Sequence, residues 1–375
     1  MDMASHPSPA APQVAHLCAE RWADLAAHAQ EANAFYAPDM LIPALTHLAQ
    51  DKTIRLLEAS AGGTLIGLLP VVVHDRHGRL PIACTGNWMH DHGFFGAPLL
   101  RRGHAREAWA NFLAQLDAAA WAPAFLYLQG IDAAGASAAA LESLCVEQRR
   151  GFREVQRYDR AMLRSDLSAD AYWEANVRSK KRKEIRRLQK RLADEGTVEQ
   201  RFLTDPRELA GWCDAFLALE QAGWKGAQGS ALASRPADAA FVREACANAF
   251  AGGRLHMLRI DLDGTPIAML VNFRHLDGAF SFKIAFDEAM GRFSPGVLIE
   301  LANLHAVQGD PAIAWMDSCA APDHPMIDSL WSERRSIVQY RIALHGRGPR
   351  RLARRAAFAL ANGVEQLADR MKGQA

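Results

Sequence analysis

Lys283-Ile284-Ala285-Phe286-Asp287-Glu288-Ala289-Met290-Gly291-Arg292-Phe293-Ser294-Pro295-Gly296-Val297 passes from one kind of structure to another within a few residues. Its opening belongs to an apolar run, residues 280–286, that reads as a strand. Ser294 followed by Pro295 is a helix start: serine can cap, and the first turn has no use for the N–H that proline lacks. Upstream, residues 255–262 and 264–270 are two more strand-like runs meeting at a Gly-containing hairpin turn. Downstream, residues 313–316 give a short apolar strand. The order is hairpin, strand, loop, helix, strand, which is a mixed α/β unit.

The same order recurs in the first half. Gly63-Thr64-Leu65-Ile66-Gly67-Leu68-Leu69 matches Gly264-Thr265-Pro266-Ile267-Ala268-Met269-Leu270, each the return strand of a hairpin, the first following residues 54–59. A third run at residues 80–85, the loop Gly93-Phe94-Phe95-Gly96-Ala97-Pro98-Leu99, a helix and a strand at 125–128 complete the set. Gly-Thr turns are common, so the shared order of elements is what argues for duplication. Between the halves, residues 166–196 read as one helix, with Val177, Ile185, Leu188 and Leu192 on one side and Gly196 as its stop. Nine of the fourteen residues from 178 to 191 are basic. The predicted organisation is a disordered leader at 1–13, an α/β domain at 14–164, a second at 165–345 containing the basic helix 170–196, and a basic helical tail at 346–375. In the tail, Arg347, Arg350, Arg351, Arg354 and Arg355 precede an alanine-rich amphipathic pattern at 356–371, which either docks or lies on an anionic membrane surface.

Bulk composition narrows the function. The 375 residues suffice for two domains with cores of their own. With 43 Lys plus Arg against 42 Asp plus Glu, the net charge of +1 creates no global field for nucleic acid or membrane. The six cysteines show neither a CxxC pair nor His-Cys metal spacing, so neither a zinc site nor a disulfide framework is expected. The longest apolar stretch, 65–73, is too short to cross a bilayer, and the leader lacks a signal core. A cytoplasmic, metal-free protein is expected.

With these pieces in order, the sequence resembles the bacterial GNAT-like family of cellulose-biosynthesis-associated acetyltransferases, relatives of the Fem-type peptidyltransferases with twin GNAT domains. The resemblance rests on Ser179-Lys180-Lys181-Arg182-Lys183-Glu184 with Arg187-Leu188, on Glu220-Gln221-Ala222-Gly223-Trp224-Lys225-Gly226, on Lys283-Ile284-Ala285-Phe286-Asp287-Glu288 followed by Ser294-Pro295-Gly296, and on Asp317-Ser318-Cys319-Ala320 with Asp323-His324-Pro325-Met326. It implies two tandem GNAT-like domains, each a mixed, mostly antiparallel sheet flanked by helices, with the chemistry in the second. It also implies transfer of an acyl group, without a metal, from acyl-CoA or the thioester of a carrier such as an acyl carrier protein to an amine that is a small molecule or carrier-bound. Hydroxyl acceptors are open, as are a tRNA-borne donor and a noncatalytic binding role.

The candidate site residues follow. Arg292, Phe293, Ser294, Pro295, Gly296 and Val297 form either a pyrophosphate loop, with helix-start N–H groups facing the anion, or an ordinary helix start. The loop keeps only an approximate version of the GNAT pattern, Arg or Gln, two residues, Gly, one residue, Gly or Ala. Asp317 and His324 follow the last strand of the second unit, where a base for the attacking amine is needed. The alternative is a turn cap and a packed imidazole. Asp287 ends the central strand, and Lys283 interrupts its apolar pattern, paired with an acid, bound to an anion or guarding an edge. Glu220 is a second base candidate, and Trp224 and Lys225 lie in a Gly-rich segment suited to clamping a ligand. The basic helix is either a solvated face or a contact for phosphates of CoA, a carrier or tRNA. His90-Asp91-His92 lacks a visible third metal ligand, and Cys319 is read as a small buried residue.

Overall fold

A computed structural model describes residues 19–50 and 52–372. The leader expected at 1–13 lies outside the described residues. By internal contacts the chain forms two compact units. Unit 1 comprises 1–38, 49–158 and 336–375, and unit 2 comprises 39–48 and 159–335. The division falls at Tyr158/Asp159 and again at Arg335/Ser336, with Asp39–Leu48 assigned to unit 2. The consecutive segments 14–164, 165–345 and 346–375 remain a description of the chain order alone.

In unit 1, helices α1 (Ala19–Ala27) and α2 (Pro38–His47, whose sequence from Asp39 belongs to unit 2) precede β1 (Arg55–Ala61), β2 (Thr64–His74), β3 (Cys84–Asn87) and β4 (Leu99–Leu100). Then come α3 (Ala105–Ala118), β5 (Phe125–Asp132), α4 (Ala136–Glu147) and the start of β6 (Phe152–Leu163). Unit 2 continues with α5 (Ala169–Asn176), α6 (Ser179–Ala193), β7 (Val198–Phe202), α7 (Leu209–Ala222), the single turn α8 (Trp224–Ala227) and α9 (Pro236–Ala251). It ends with β8 (Leu255–Leu262), β9 (Thr265–His275), β10 (Gly278–Phe286), α10 (Pro295–Gly309) and β11 (Trp315–Asp317). Strand β12 (Glu333–Ala343) and helix α11 (Gly348–Lys372) close the chain.

The duplication is visible in the strand pairing. In unit 1, β1 and β2 are antiparallel, β2 and β3 antiparallel, and β3 and β5 parallel. In unit 2, β8 and β9, β9 and β10, and β10 and β11 repeat those three relations in the same order. Both hairpins turn through two residues at positive φ, Gly62 (54°) with Gly63 (83°) and Asp263 (49°) with Gly264 (78°), the backbone that a two-residue turn between twisted strands requires. The strand pairing within each unit is mixed and flanked by helices, as in the GNAT fold. The unit 2 core gathers Ile185, Leu270, Ile299, Met316 and Trp331.

Several elements differ from the sequence reading. The expected single helix at 166–196 is two, α5 and α6, separated by extended backbone at Val177 (φ −96°, ψ 125°). The gap is held by Arg182, which donates to the carbonyls of Glu174 (2.8 Å) and Val177 (2.5 Å), while Ser168 caps α5 by accepting from Ala171. The apolar side is as expected: Val177, Ile185, Leu188 and Leu192 are all buried. The third strand of the first half begins at Cys84 instead of residue 80, because His77 and Leu80 close a tight turn through Gly78 at positive φ. The last strand of unit 2 begins at Trp315, since Asp310 caps Ala312 and its carbonyl accepts from Ile313.

The terminal helix runs over Gly348–Lys372, within the helical tail expected at 346–375, and takes in Arg350, Arg351, Arg354 and Arg355. Its buried Arg354 guanidinium donates to the carbonyls of Leu116 (3.1 Å), Asp117 (3.0 Å), Ala122 (2.7 Å) and Pro123 (2.8 Å), and to that of His345. A cation placed there satisfies carbonyls that α3 leaves open at its C-terminal end. Arg354→Met should therefore cost about 3 kcal/mol in urea unfolding, since the arginine's apolar bulk is kept while buried acceptors lose their donors. A loss under about 0.5 kcal/mol would contradict this role.

Candidate active site

Strands β10 and β11 run side by side for three residue pairs, Gly278–Trp315 to Phe280–Asp317. Gly278 permits the approach, because a Cβ there would overlap the Trp315 indole. Beyond Asp317 β11 stops, whereas β10 continues to Phe286 with β9 as its ladder partner. One backbone edge of β10 is thus left open. At the divergence β10 also carries a bulge: Ser281 faces Asn272 and Lys283 faces Val271, leaving Phe282 outside the ladder.

Two cavities flank this edge. The larger, about 400 Å³, is lined by Glu220, Trp224, Lys225, Phe286, Glu288 and His324 with neighbouring apolar groups. The smaller, about 150 Å³, is lined by Ser281, Lys283, Glu300, Ser318, Cys319 and His324 among others. Lys225, Ile284, His324 and Met326 border both.

Lys225 is held at the open edge from two sides. Its ammonium donates to Glu220 Oε1 (2.8 Å) and to the carbonyl of Ile284 (3.2 Å) on β10. The second Glu220 oxygen accepts from the amide of Leu232 (2.8 Å), so both oxygens of this buried carboxylate are engaged. Trp224 stands half exposed, with its amide donating to Glu288 Oε1 (2.6 Å). The Lys283 ammonium has its pKa lowered by burial and then by the charge of Lys225, and lies 5.8 Å from the Phe282 ring. His324 keeps a buried Nδ1 that has no hydrogen-bond partner among the described residues.

Glu300, on α10, is the residue that sequence reasoning missed. It is buried and lines the smaller cavity, and its Oε2 accepts from Asn303 Nδ2 (3.2 Å). Asn303 in turn accepts from Asn272 (2.9 Å), which lies 3.5 Å from the His256 ring. Burial raises the Glu300 carboxyl to about 7, with the neutral Asn303 amide only partly opposing the rise. The signal was present in the sequence: Glu300 and Asn303 are one turn apart in an otherwise apolar segment, 298–304, and two polar groups at that spacing on a buried face need a reason.

The remaining candidates are placed elsewhere. Asp317 is fully buried, accepting at Oδ2 from Arg160 (2.6 Å) and Arg335 (2.9 Å) and at Oδ1 from the amide of Cys319 (2.8 Å). Burial pushes its carboxyl upward, but the two guanidiniums outweigh that and hold it below the ordinary range. It lines neither cavity described above. An acid so held is a poor proton acceptor near neutral pH. The Cys319 thiol lines the smaller cavity, and burial, then the charge of Asp317, raises it well above its usual value. A thiol kept protonated is no nucleophile. Asp287 caps the 3₁₀ turn Glu288–Phe293 by accepting from Ala289 (2.9 Å), and it too lines neither cavity.

Residues 292–297 likewise lie outside both linings. Phe293 is fully buried, Pro295 and Gly296 are buried, and a Cβ on Gly296 would meet Phe286 and Met326. Ser294 takes the left-handed conformation and caps with its carbonyl, not its hydroxyl, accepting from Val297 (2.9 Å) and Leu298 (3.2 Å). Arg292 pairs with Glu195 (3.2 Å) and lies over the Phe293 ring, as does Arg191 of α6. The basic helix and the loop therefore meet over one aromatic side chain. Among the described residues no group of three metal-ligating side chains could hold an ion.

This geometry, a β-bulged strand diverging from its parallel neighbour beside a helix start, is that of the GNAT fold. Residues 179–323 match the family model described as an acetyltransferase (GNAT) domain, and unit 2 thus carries an acyltransferase domain. Solved structures share the fold. FemX is 11% identical, with a TM-score of 0.55 over 87% of this chain and 96% of its own. The C-terminal domain (DUF2156) of a putative lysylphosphatidylglycerol synthetase from Agrobacterium fabrum is 12% identical, with a TM-score of 0.52 over 92% and 95%. A conserved protein of unknown function from Bacteroides thetaiotaomicron is 12% identical, with a TM-score of 0.51 over 88% and 98%. No curated protein matches the chain in sequence. The cellulose-associated family is not among these matches.

Asp317→Asn removes the charge on which two buried guanidiniums converge and should cost about 3–5 kcal/mol of stability, measured by urea unfolding at pH 7. Because the folded carboxyl lies below its unfolded value of 3.8, the wild-type contribution is present at neutral pH and is lost as the pH falls below that value. A variant that unfolds like wild type but loses turnover would instead make Asp317 a group acting on substrate.

Proposed function

We propose that unit 2 transfers an acyl group from a CoA thioester to an amine, with Glu300 as the proton acceptor. The observation that carries this reading is a buried carboxyl, half ionised near neutral pH, in the gap where β10 leaves β11. An extended, amide-bearing chain such as pantetheine can hydrogen-bond to the open edge of β10 as a further strand would. That would set its thioester beside the smaller cavity. The amine nitrogen attacks the carbonyl carbon, the new C–N bond forms as the C–S bond breaks, and the proton lost by nitrogen goes to Glu300. The departing thiolate takes a proton from His324, which borders both cavities.

Phosphates of the donor are proposed to lie against residues 292–297 from the side of α6, where Arg191 and Arg292 share the Phe293 ring. A second reading has a specific observation in its favour. Lys180, Lys183, Arg187 and Lys190 on α6 are exposed, more cationic surface than one diphosphate requires, and suit a tRNA-borne aminoacyl donor. A thiol-release assay with a panel of acyl-CoAs, followed by mass spectrometry of an amine-rich extract, should detect CoA release and a mass gain on one acceptor. Salt-sensitive binding of aminoacyl-tRNA, weakened by Lys180→Glu and accompanied by no CoA release, would favour the second reading instead.

Glu300→Gln should lower kcat by about 10²–10⁴, and the wild-type kcat/KM should rise with pH through about 7. The same variant should gain stability. The folded carboxyl binds its proton more tightly than the unfolded one, so wild-type stability falls as pH rises from about 4.5 to about 7. At pH 8 the Gln variant should exceed wild type by up to about 3 kcal/mol, with no decline across that window. Full activity in Glu300→Gln would remove the residue from the reaction.

A further inference from the structure

The C-terminal helix α11 turns an apolar face to solvent. Leu352 is 70% exposed, Leu360 58% and Val364 38%, and Ala353, Ala356 and Ala359 beside them are exposed as well. At 3.6 residues per turn, Leu352, Ala356, Leu360 and Val364 drift by only about 40° from one to the next and so form one stripe. The opposite side of the same helix, Arg354 and Ala361, is buried in unit 1. The helix is thus apolar on the outside and anchored by arginine on the inside, the reverse of a helix that merely caps a soluble domain.

Along one edge of this stripe stand Arg351 and Arg355. Both line a cavity of about 590 Å³ together with Arg149, His345, Leu344 and Phe358. These three arginines are exposed and make no ion pair among the described residues, in a chain where most buried and many exposed guanidiniums are matched to carboxylates. The potential there is positive enough to register on a neighbour: the His345 imidazole is held down by burial and then by Arg150 and Arg351. Val146, 79% exposed, precedes Arg149 by one turn, its carbonyl accepting from the Arg149 amide (3.1 Å).

We propose that α11 and the Arg149 corner of unit 1 seat this protein on the surface of an anionic lipid bilayer, with the leucines in the acyl boundary and the arginines on lipid phosphates. Apolar stripe and cationic edge are the two elements that interfacial helices combine. Among the described residues no helix is long and apolar enough to cross a membrane, so α11 lies in the plane. A second copy of the chain fits less well: a two-fold, antiparallel pairing of the stripe sets the arginine edge of one copy against that of the other. The inference is independent of the acyl-transfer reading, since none of its residues lies in unit 2.

The test is co-sedimentation of the full chain with vesicles of phosphatidylcholine, alone or mixed with phosphatidylglycerol. Binding is expected to the mixed vesicles at low salt, to weaken as salt is added, and to be absent from phosphatidylcholine alone. Replacing Arg351 or Arg355 with Gln should weaken partitioning about fivefold each. Leu352→Glu with Leu360→Glu should lower it at least about tenfold, with circular dichroism confirming that these exposed positions leave the fold intact. Equal binding to both vesicle types, or none to either, overturns the proposal. So does a solution dimer dissolved by Leu360→Glu, or uptake of inorganic phosphate without vesicle binding.

Discussion

One buried carboxylate determines where unit 2 opens. Asp317 ends β11, and its oxygens are taken by Arg160 of β6, Arg335 of β12 and the amide of Cys319. Two buried cations converge on this one anion, so the end of β11 is held where its neighbours put it. The chain must then turn away at once, and Cys319 does so at φ 53°, a left-handed conformation that a non-glycine residue keeps only when its surroundings insist. That turn brings Ser318 and Cys319 to the wall of the smaller cavity while β10 runs on without them. The open strand edge is the consequence of the ion cluster.

The acids of this region differ in what surrounds them, and their chemistry differs accordingly. Asp317 faces two guanidiniums and stays ionised. Glu220 has one oxygen on an ammonium and the other on an amide, which makes it an anchor for Lys225. Glu300 has a neutral amide and burial, which push it into the range where a carboxyl exchanges protons near pH 7. Sequence proximity to the strand end pointed to Asp317. The decisive quantity was the count of cations within hydrogen-bond reach, which no spacing rule supplies.

Periodic and turn-encoded features were legible, and features set by distant partners were not. The two hairpins follow from alternating apolar runs closed at Gly62-Gly63 and Asp263-Gly264, because those turns demand φ > 0 at residues that tolerate it. The buried side of α6 follows from helical spacing alone. The break before α6 did not, since it rests on Arg182 reaching back to two carbonyls, and propensity at Val177 only permits it. Trp224, Lys225 and Lys283, expected from the sequence to bind the donor, and His324, expected as a base, line the two cavities, whereas residues 292–297 do not, the glycine among them lying under Phe286 and Met326. Glu300 was hidden because a polar residue inside an apolar helix looks like noise until its partner one turn away is counted.

The two units show why equivalent topology does not give an equivalent site. In unit 1 the parallel pair corresponding to β10 and β11 is β3 and β5, joined at Thr85–Leu126 and Gly86–Tyr127. There β3 ends at Asn87, and Asn87 closes the gap: its amide donates to the carbonyls of Gly96 (2.9 Å) and Gln129 (2.9 Å), and its carbonyl oxygen accepts from the amide of Gln129 (2.9 Å). Gly96 adds a backbone bond to Gly130 (2.8 Å), and a Cβ at Gly96 would overlap Gln129 and Asn87, so the loop is drawn against the strand. One asparagine thus stitches shut in unit 1 the cleft that an aspartate and two arginines hold open in unit 2. The difference between the closed gap of unit 1 and the open one of unit 2 lies in the side chain at the end of the short strand pair, an amide that bridges it or a carboxylate that is drawn to two arginines.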